Sequence, residues 1–504
     1  MATVEPTVAT TPTSNNPPEV LYIKPHVVEL PFKGGLLKKG GAHKGQLGGS
    51  LALDVSRAVA GGGGKKGVAD KRPPHERDFC VQLSQLRETA VSALGDPAWT
   101  ADAVDTAVAE YLALLQGLTC QHGKPPSNPL TDGATIPPSR PSRVPPIASS
   151  LSFHWYDIFD ASTRTDNPPV SGDAAMELSS VLLSLAVWKA RAAAKLCNRP
   201  KFSEGVSSDE SSAAYKLLRQ AAGLAALLVE MAACGASSPP SASHDLCREK
   251  LSALELLFLA DAQSLSTLRA VEKGNSPAIV ASVARDTSEL YASALKRLQS
   301  DNSGAGWTAK VAAYAEFKAE AFRAHANIAN GKQRLADEAA GDAVRSAEEA
   351  KGVAAAAAKL GTVYDKAGGV LSDPKEHEFF SAHLRATVQH SADKILRMNS
   401  MIHYKAPSPD LPALPDPTRL AQPLPYALPP LSELAISLVS SSSSNDDEGQ
   451  GIHSDAATTG AEQATTGAEG EGGGGGGDGK PAEDGASGKP ESPPKGKSCC
   501  CVVQ

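Results

Sequence analysis

Residues 211–234 read SSAAYKLLRQAAGLAALLVEMAAC and residues 245–272 read DLCREKLSALELLFLADAQSLSTLRAVE. Neither contains a proline, and their apolar residues recur every three or four positions. That spacing fixes long α-helices and rules against strands. On the N-terminal side, DAAMELSSVLLSLAVWKARAAAKLC (173–197) is apolar almost all round, as a buried helix should be. On the C-terminal side the pattern continues through 276–299, 307–338, 342–360 and 375–403, with Val311, Tyr314, Ala321, Phe322 and Ile328 sharing one stripe. Upstream, Leu83, Leu86, Val91 and Leu94, then Val104, Val108, Tyr111, Leu112 and Leu115, mark two more helices. A proline-rich connection (125–146) and the aromatic-dense LSFHWYDIFD (151–160) separate these from the long series. Residues 20–32, VLYIKPHVVELPF, predict one or two short strands, and no strand alternation follows. The expected fold is therefore mostly α, an array of long antiparallel helices with short N-terminal strands. No clean 34-residue period emerges, so stacked helix pairs are expected without a regular repeat.

The flanks read differently. Residues 1–19 are rich in Thr, Pro and Asn and are expected to be disordered. Residues 33–72, with GGLLKKGGAHKGQLGG and AGGGGKKG, predict a long loop or insertion. After Met401, nine prolines fall within 406–430, which predicts an extended, polyproline-like path. A short apolar segment, LSELAISLV, follows at 431–439. Residues 441–504 hold eleven carboxylates against four lysines, a balance of −7 that equals the formal charge of the whole 504-residue chain. With fifteen glycines and no aromatic residue, this tail cannot bury enough surface to fold and is expected to be flexible. At some 60 residues it would reach roughly 40 Å.

Composition excludes several functions. A mildly acidic chain is a poor nucleic-acid binder, and no apolar run reaches the 18 or so residues that cross a bilayer. The N-terminus has neither a basic nor an apolar stretch of the secretory kind, so no signal peptide is expected. The scattered Cys80, Cys120, Cys197, Cys234 and Cys247 show no zinc spacing and are expected to be reduced thiols. AGGGGKKGVAD (60–70) and GGGGGGDGKP (472–481) lack the GxxxxGK-Ser/Thr order of a phosphate loop. In HEFFSAH (377–383) the histidines are six apart, and HERDF (75–79) has no second histidine, so neither forms a zinc motif. His154 beside Trp155 is read as a packed histidine. No GxSxG occurs. The expectation is a non-enzymatic protein with no cofactor and no metal.

The C-terminus does carry chemistry. Cys501-Val502-Val503-Gln504 is a C-a-a-X box, and Gln in the last position favours farnesyl. A prenyltransferase needs an extended terminus, and this tail supplies one. Processing would then remove Val502, Val503 and Gln504 and leave Cys501 as a methyl ester. One farnesyl chain anchors weakly, and a second signal is needed for stable residence. Lys495 and Lys497 are too few behind an acidic tail, so Cys499 and Cys500 are the candidate palmitoylation sites.

LSFHWYDIFD (151–160), MELSSVLLSLAVWKARAAAKL (176–196), YKLLRQAAGLAALL (215–228), ALELLFLADAQSLSTLRAVEKG (253–274) and NSMIHYKAPSPDLPAL (399–414) together resemble, in order and spacing, the Bro domain family, the boomerang-shaped helical domain of Alix and its relatives. A Bro domain followed by a prenylation box looks most like the Brox-type branch, which lacks the V-shaped domain and Pro-rich tail. The resemblance implies a Bro domain over 20–430 with helix pairs of TPR-like character in its middle. It leaves a flexible acidic Gly/Ser-rich linker over 431–498 and a lipidation motif over 499–504. It also implies an adaptor of the ESCRT pathway on the cytosolic face of endosomal, nuclear or plasma membrane. The implied partner is the C-terminal amphipathic helix of a Snf7-type ESCRT-III subunit, taken helix-in-groove. Leu254, Leu257 and Phe258 share one apolar helix face and are the candidates for that groove. A helical scaffold for other peptides and a membrane-tethered enzyme remain the alternatives at this level.

Overall fold

The computed structural model describes residues 74–96, 98–119, 147, 151–155, 157–159, 170–171, 173–197, 206–233, 244–299, 307–367 and 374–444. The expected N-terminal strands, the Gly/Lys-rich segment, most of the proline-rich connection and the C-terminal tail lie outside these residues. The helices are α1 (Pro74–Gly95), α2 (Ala101–Thr119), α3 (Ala174–Cys197), α4 (Ser208–Ala233), α5 (Arg248–Glu272), α6 (Pro277–Gln299), α7 (Trp307–Ala336), α8 (Ala340–Lys366), α9 (Pro374–Met398) and α10 (Glu433–Ser444). A five-residue π-helical turn, Asn399–His403, extends α9.

Local signals place the helix ends. Ser207 and Glu210 form a reciprocal capping box: Glu210 N–H donates to Ser207 Oγ (3.2 Å), and Ser207 N–H donates to the Glu210 carboxylate (3.0 Å). This opens α4. Asp173 accepts from Ala175 N–H at 2.8 Å, a one-way side-chain cap that opens α3. The α5–α6 corner turns at Gly274, whose φ of +67° suits glycine. There Asn275 N–H reaches back to the Ala270 carbonyl at 3.0 Å. Pro277 then starts α6, where its missing N–H costs nothing.

From α3 to α9 each helix packs on its chain neighbours, and α9 also reaches α7. The two corners of three or four residues, 337–339 and 273–276, force antiparallel neighbours. One continuous apolar core runs from Phe79 to Leu438. It is rich in alanine on α8, which lets that helix approach α7 closely.

Two expectations need correction. Strand structure does appear after residue 32: Phe153–His154 pairs antiparallel with Val170–Ser171. Two residues are too short for alternation to register in a sequence. The linker also does not begin at 431. Residues 433–444 form α10, with Ala435 and Leu438 buried against α2 and α1. Ser432 caps it by accepting from Ala435 N–H at 3.2 Å. The apolar LSELAISLV is thus a packed helix, its face covered by tertiary contact that composition alone does not reveal.

Candidate partner-binding surface

Leu254, Leu257 and Phe258 lie on α5 and are fully buried within the core. This corrects their assignment to an open groove. Apolar spacing on a helix reports that a face is covered, and here the neighbouring helices of the same chain cover it. What α4 and α5 leave partly open is the adjacent stripe: Leu227, Glu230 and Met231 on α4, and Glu255 and Leu256 on α5. Glu255 and Glu230 feel each other, and burial first and Glu230 second push the Glu255 carboxyl up. The two stripes are therefore side by side.

A strap runs from Tyr404 to Ser432 in extended conformation. It crosses the helices in reverse order, and polar groups seat it at each crossing. Ser408 N–H donates to the Gly341 carbonyl at the start of α8 (3.1 Å). Asn330 and Arg334 of α7 both donate to the Ala413 carbonyl. Arg285 of α6 donates to the Leu414 and Pro415 carbonyls at 3.2 and 2.9 Å, while Arg419 returns an ion pair to Asp286 at 3.1 Å. Gln263 of α5 mimics a strand partner. Its amide donates to Thr418 O (2.7 Å), and its oxygen accepts from Leu420 and Ala421 N–H at 3.1 and 2.9 Å. Tyr215 and Arg219 of α4 donate to Leu420 O and Gln422 O at 3.1 and 2.7 Å. Gln116 of α2 donates to Pro429 O at 2.9 Å. Proline suits this path because the helices bond its carbonyls and demand few strap N–H groups. The extended reading of 406–430 holds.

Two buried carboxylates organise the interior. Glu177 of α3 accepts from Arg87 Nε (2.8 Å), Tyr111 O–H (2.7 Å) and Trp155 Nε1. Arg87 lies 5.3 Å from the Trp155 ring centroid. The aromatic cluster at 151–160 thus ties α1, α2 and α3 together. Asp261 of α5 accepts from Tyr291 and Tyr314 O–H at 2.6 and 2.8 Å. Burial first and Asp261 second push both phenols up. Lys318 sits nearby among rings, 4.6 Å from the Phe380 centroid and 5.4 Å from that of Phe322. Burial pulls its amine down to about 8. Sequence reading passed over both centres, because single polar residues on apolar helices carry no spacing signal.

Among the described residues one group could approach a metal: Asp157, His244 and Asp245. Its oxygens already serve as a clasp. Asp245 accepts from Ile158 N–H and Asp157 from Asp245 N–H, each at 2.9 Å. His154 is half-buried on the Phe153–His154 strand, in keeping with a packed histidine. Cys80, Cys197 and Cys247 are buried and form no disulfide among the described residues. No described helix is long and apolar enough to cross a membrane. Cys499, Cys500 and Cys501 lie outside the described residues.

Comparison with known proteins agrees with this architecture. The BRO1-like domain family matches residues 141–448, and so runs through α10. The BRO1 domain-containing protein BROX of Mus musculus is 27% identical over 364 residues, covering 71% of this chain and 82% of that protein. Its Homo sapiens counterpart is 26% identical over 363 residues, with the same coverage. Among solved structures, an ALIX BRO1 CHMP4C complex superimposes with a TM-score of 0.52 at 17% identity, covering 75% of this chain and 92% of that one. A Bro1 domain described as a structural basis for endosomal targeting gives 0.54 at 15%, covering 84% and 97%. The fold they share is this helical array, and the chain belongs to the BRO1-like domain family.

Proposed function

We propose that this chain is a non-enzymatic adaptor that binds the C-terminal amphipathic helix of a Snf7-type ESCRT-III subunit in endosomal sorting or membrane remodelling. A lipid on Cys501 would hold it at the cytosolic face of a membrane. The observation that carries the reading is the family match, together with the likeness to a BRO1 domain solved with CHMP4C. Leu227, Met231 and Leu256 replace the buried trio as the docking stripe. They are among the partly open apolar residues of α4 and α5, and a short helix lays such anchors into a groove at i, i+3 and i+4. The flanking Glu230 and Glu255 favour a partner helix with a basic edge. Membrane confinement raises the effective concentration, so a weak peptide contact suffices.

The test is a titration of the full chain with a fluorescent Snf7-type C-terminal helix. Micromolar binding that Leu256→Asp abolishes supports the reading, and no binding at high micromolar peptide points to a scaffold for other clients. The lipid is tested separately by the intact mass of the native C-terminal peptide and by fractionation of Cys501→Ser. An unmodified mass, or unchanged fractionation, removes the anchor from the proposal.

A further inference from the structure

Where α9 ends, the chain places apolar side chains in water. Met401, Ile402 and Tyr404 are 66%, 59% and 76% exposed, and Met398 beside them is exposed as well. Folding does not demand this, and contiguous exposed apolar residues mark a contact surface. The turn is held rigidly in that pose. Tyr404 adopts the left-handed region at φ 53°, uncommon for a side chain of its size. Its N–H donates to Asn399 O at 2.7 Å. The Asn399 side chain then grips Lys405 on both sides: Lys405 N–H donates to Asn399 Oδ1 (3.0 Å), and Asn399 Nδ2 donates to Lys405 O (2.8 Å). π-Helical turns and strained residues of this kind gather at functional sites.

The rim of the patch is basic. Residues 394–409 contain Lys394, Arg397 and Lys405 and no carboxylate. Of the flanking carboxylates, Asp393 accepts from Gln389 at 2.6 Å and Asp410 is exposed, while Asp342 of α8 accepts from Ser408. Lys332 faces the same field. Burial, then Lys394, pull its amine down to about 8.

We propose that the 398–405 turn is a membrane-contact site, with Met401, Ile402 and Tyr404 entering the headgroup region of an anionic bilayer and Lys394, Arg397 and Lys405 pairing with acidic phospholipid headgroups. A tyrosine and two flexible or branched apolar chains over a basic collar suit that interface, where a ring with a polar tip is wet at one end. The contact supplies the second membrane signal that one prenyl chain needs. It does not require the lipid, so it stands or falls apart from the Cys501 reading.

The test uses the full-length chain carrying Cys501→Ser, which removes the anchor. It is sedimented with vesicles of phosphatidylcholine alone or mixed with phosphatidylserine. Binding is expected only to the mixed vesicles and is expected to fall steeply with salt. Met401→Asp with Ile402→Asp should weaken it roughly tenfold or more, because charges resist entry into the interface. Neutralising Lys394 or Arg397 should weaken it about fivefold each. Both apolar positions are exposed, so the thermal midpoint should not move. Val363→Asp, equally exposed near the far end of α8, controls for charge alone. Equal binding to both vesicle types overturns the proposal, as does undiminished binding of the double variant. A concentration-dependent dimer that the double variant abolishes, without vesicle binding, reassigns the turn to a second copy of this chain.

Discussion

The two buried carboxylates solve one problem with different cations. Glu177 is paired with Arg87, a guanidinium bonded directly at 2.8 Å and unable to shed its proton. Asp261 accepts from two neutral phenols through one carboxylate oxygen, while the amine near it, Lys318, is surrounded mainly by rings. The imidazole of His325, 6.0 Å from the Phe322 ring, is pulled down to about 3, by burial first and then by His383, Lys332 and Lys318. The α1–α3 junction is thus a direct carboxylate–guanidinium pair. The α5–α9 interior holds cations that folding penalises and that can lose their protons. Equal burial does not mean equal pH response: the second region holds an imidazole and amines that burial pulls down.

Acid should break this comparison most strongly. His325 binds its proton near pH 6.5 when unfolded and only near 3 when folded. The unfolded state therefore holds the extra proton between those values, and stability is lost as pH falls from 6.5 towards 3. The full span is about 5 kcal/mol. Urea midpoints measured across this range should drop steeply, and His325→Phe should flatten most of the drop. Next, Glu177→Ala strands Arg87 without its partner in the core and should cost about 3–5 kcal/mol, at a similar size at pH 5 and pH 8. A cost that varied strongly with pH would erase the distinction between the regions.

Lys318 gives the same sign of slope in alkali, stability rising with pH. Below pH 8 both states hold its proton. Between 8 and 10.5 the folded state has shed it while the unfolded state keeps it, so stability should rise by up to about 3 kcal/mol. Above pH 10 the buried tyrosines reverse the trend, because unfolded phenols ionise first. Lys318→Met should remove its share of the rise in a denaturant series and leave that of Lys332, whose amine burial also pulls down to about 8. The smallest effects contrast two glycines. A Cβ at Gly223 would stand 1.7 Å from the strap carbonyl of Leu424, so Gly223→Ala should cost about 1–3 kcal/mol by forcing the strap outward. At Gly352 nothing lies within 4 Å, and Gly352→Ala should stabilise α8 by about 0.5–1 kcal/mol. Thermal midpoints separate the two.

Much of the fold is legible in the sequence. Apolar spacing places α3 to α9 within a few residues, since a helix face buried by the chain must repeat every three or four positions. The proline run correctly predicts an extended strap, because proline denies it a helix. The candidate site was far less legible. Leu254, Leu257 and Phe258 have the right spacing for a groove and are core, whereas Leu227, Met231 and Leu256 lie one helix face away and look no different in composition. The π-turn appears in sequence only as MIHY at a helix end.

Sequence by itself determined the helical class, the family resemblance and the strap, each written in local order along the chain. Tertiary structure alone decided which apolar faces are covered and which face water, where α10 docks, and how Glu177 and Asp261 collect donors from distant helices. Burial depends on neighbours brought from far along the chain, and no local pattern specifies them.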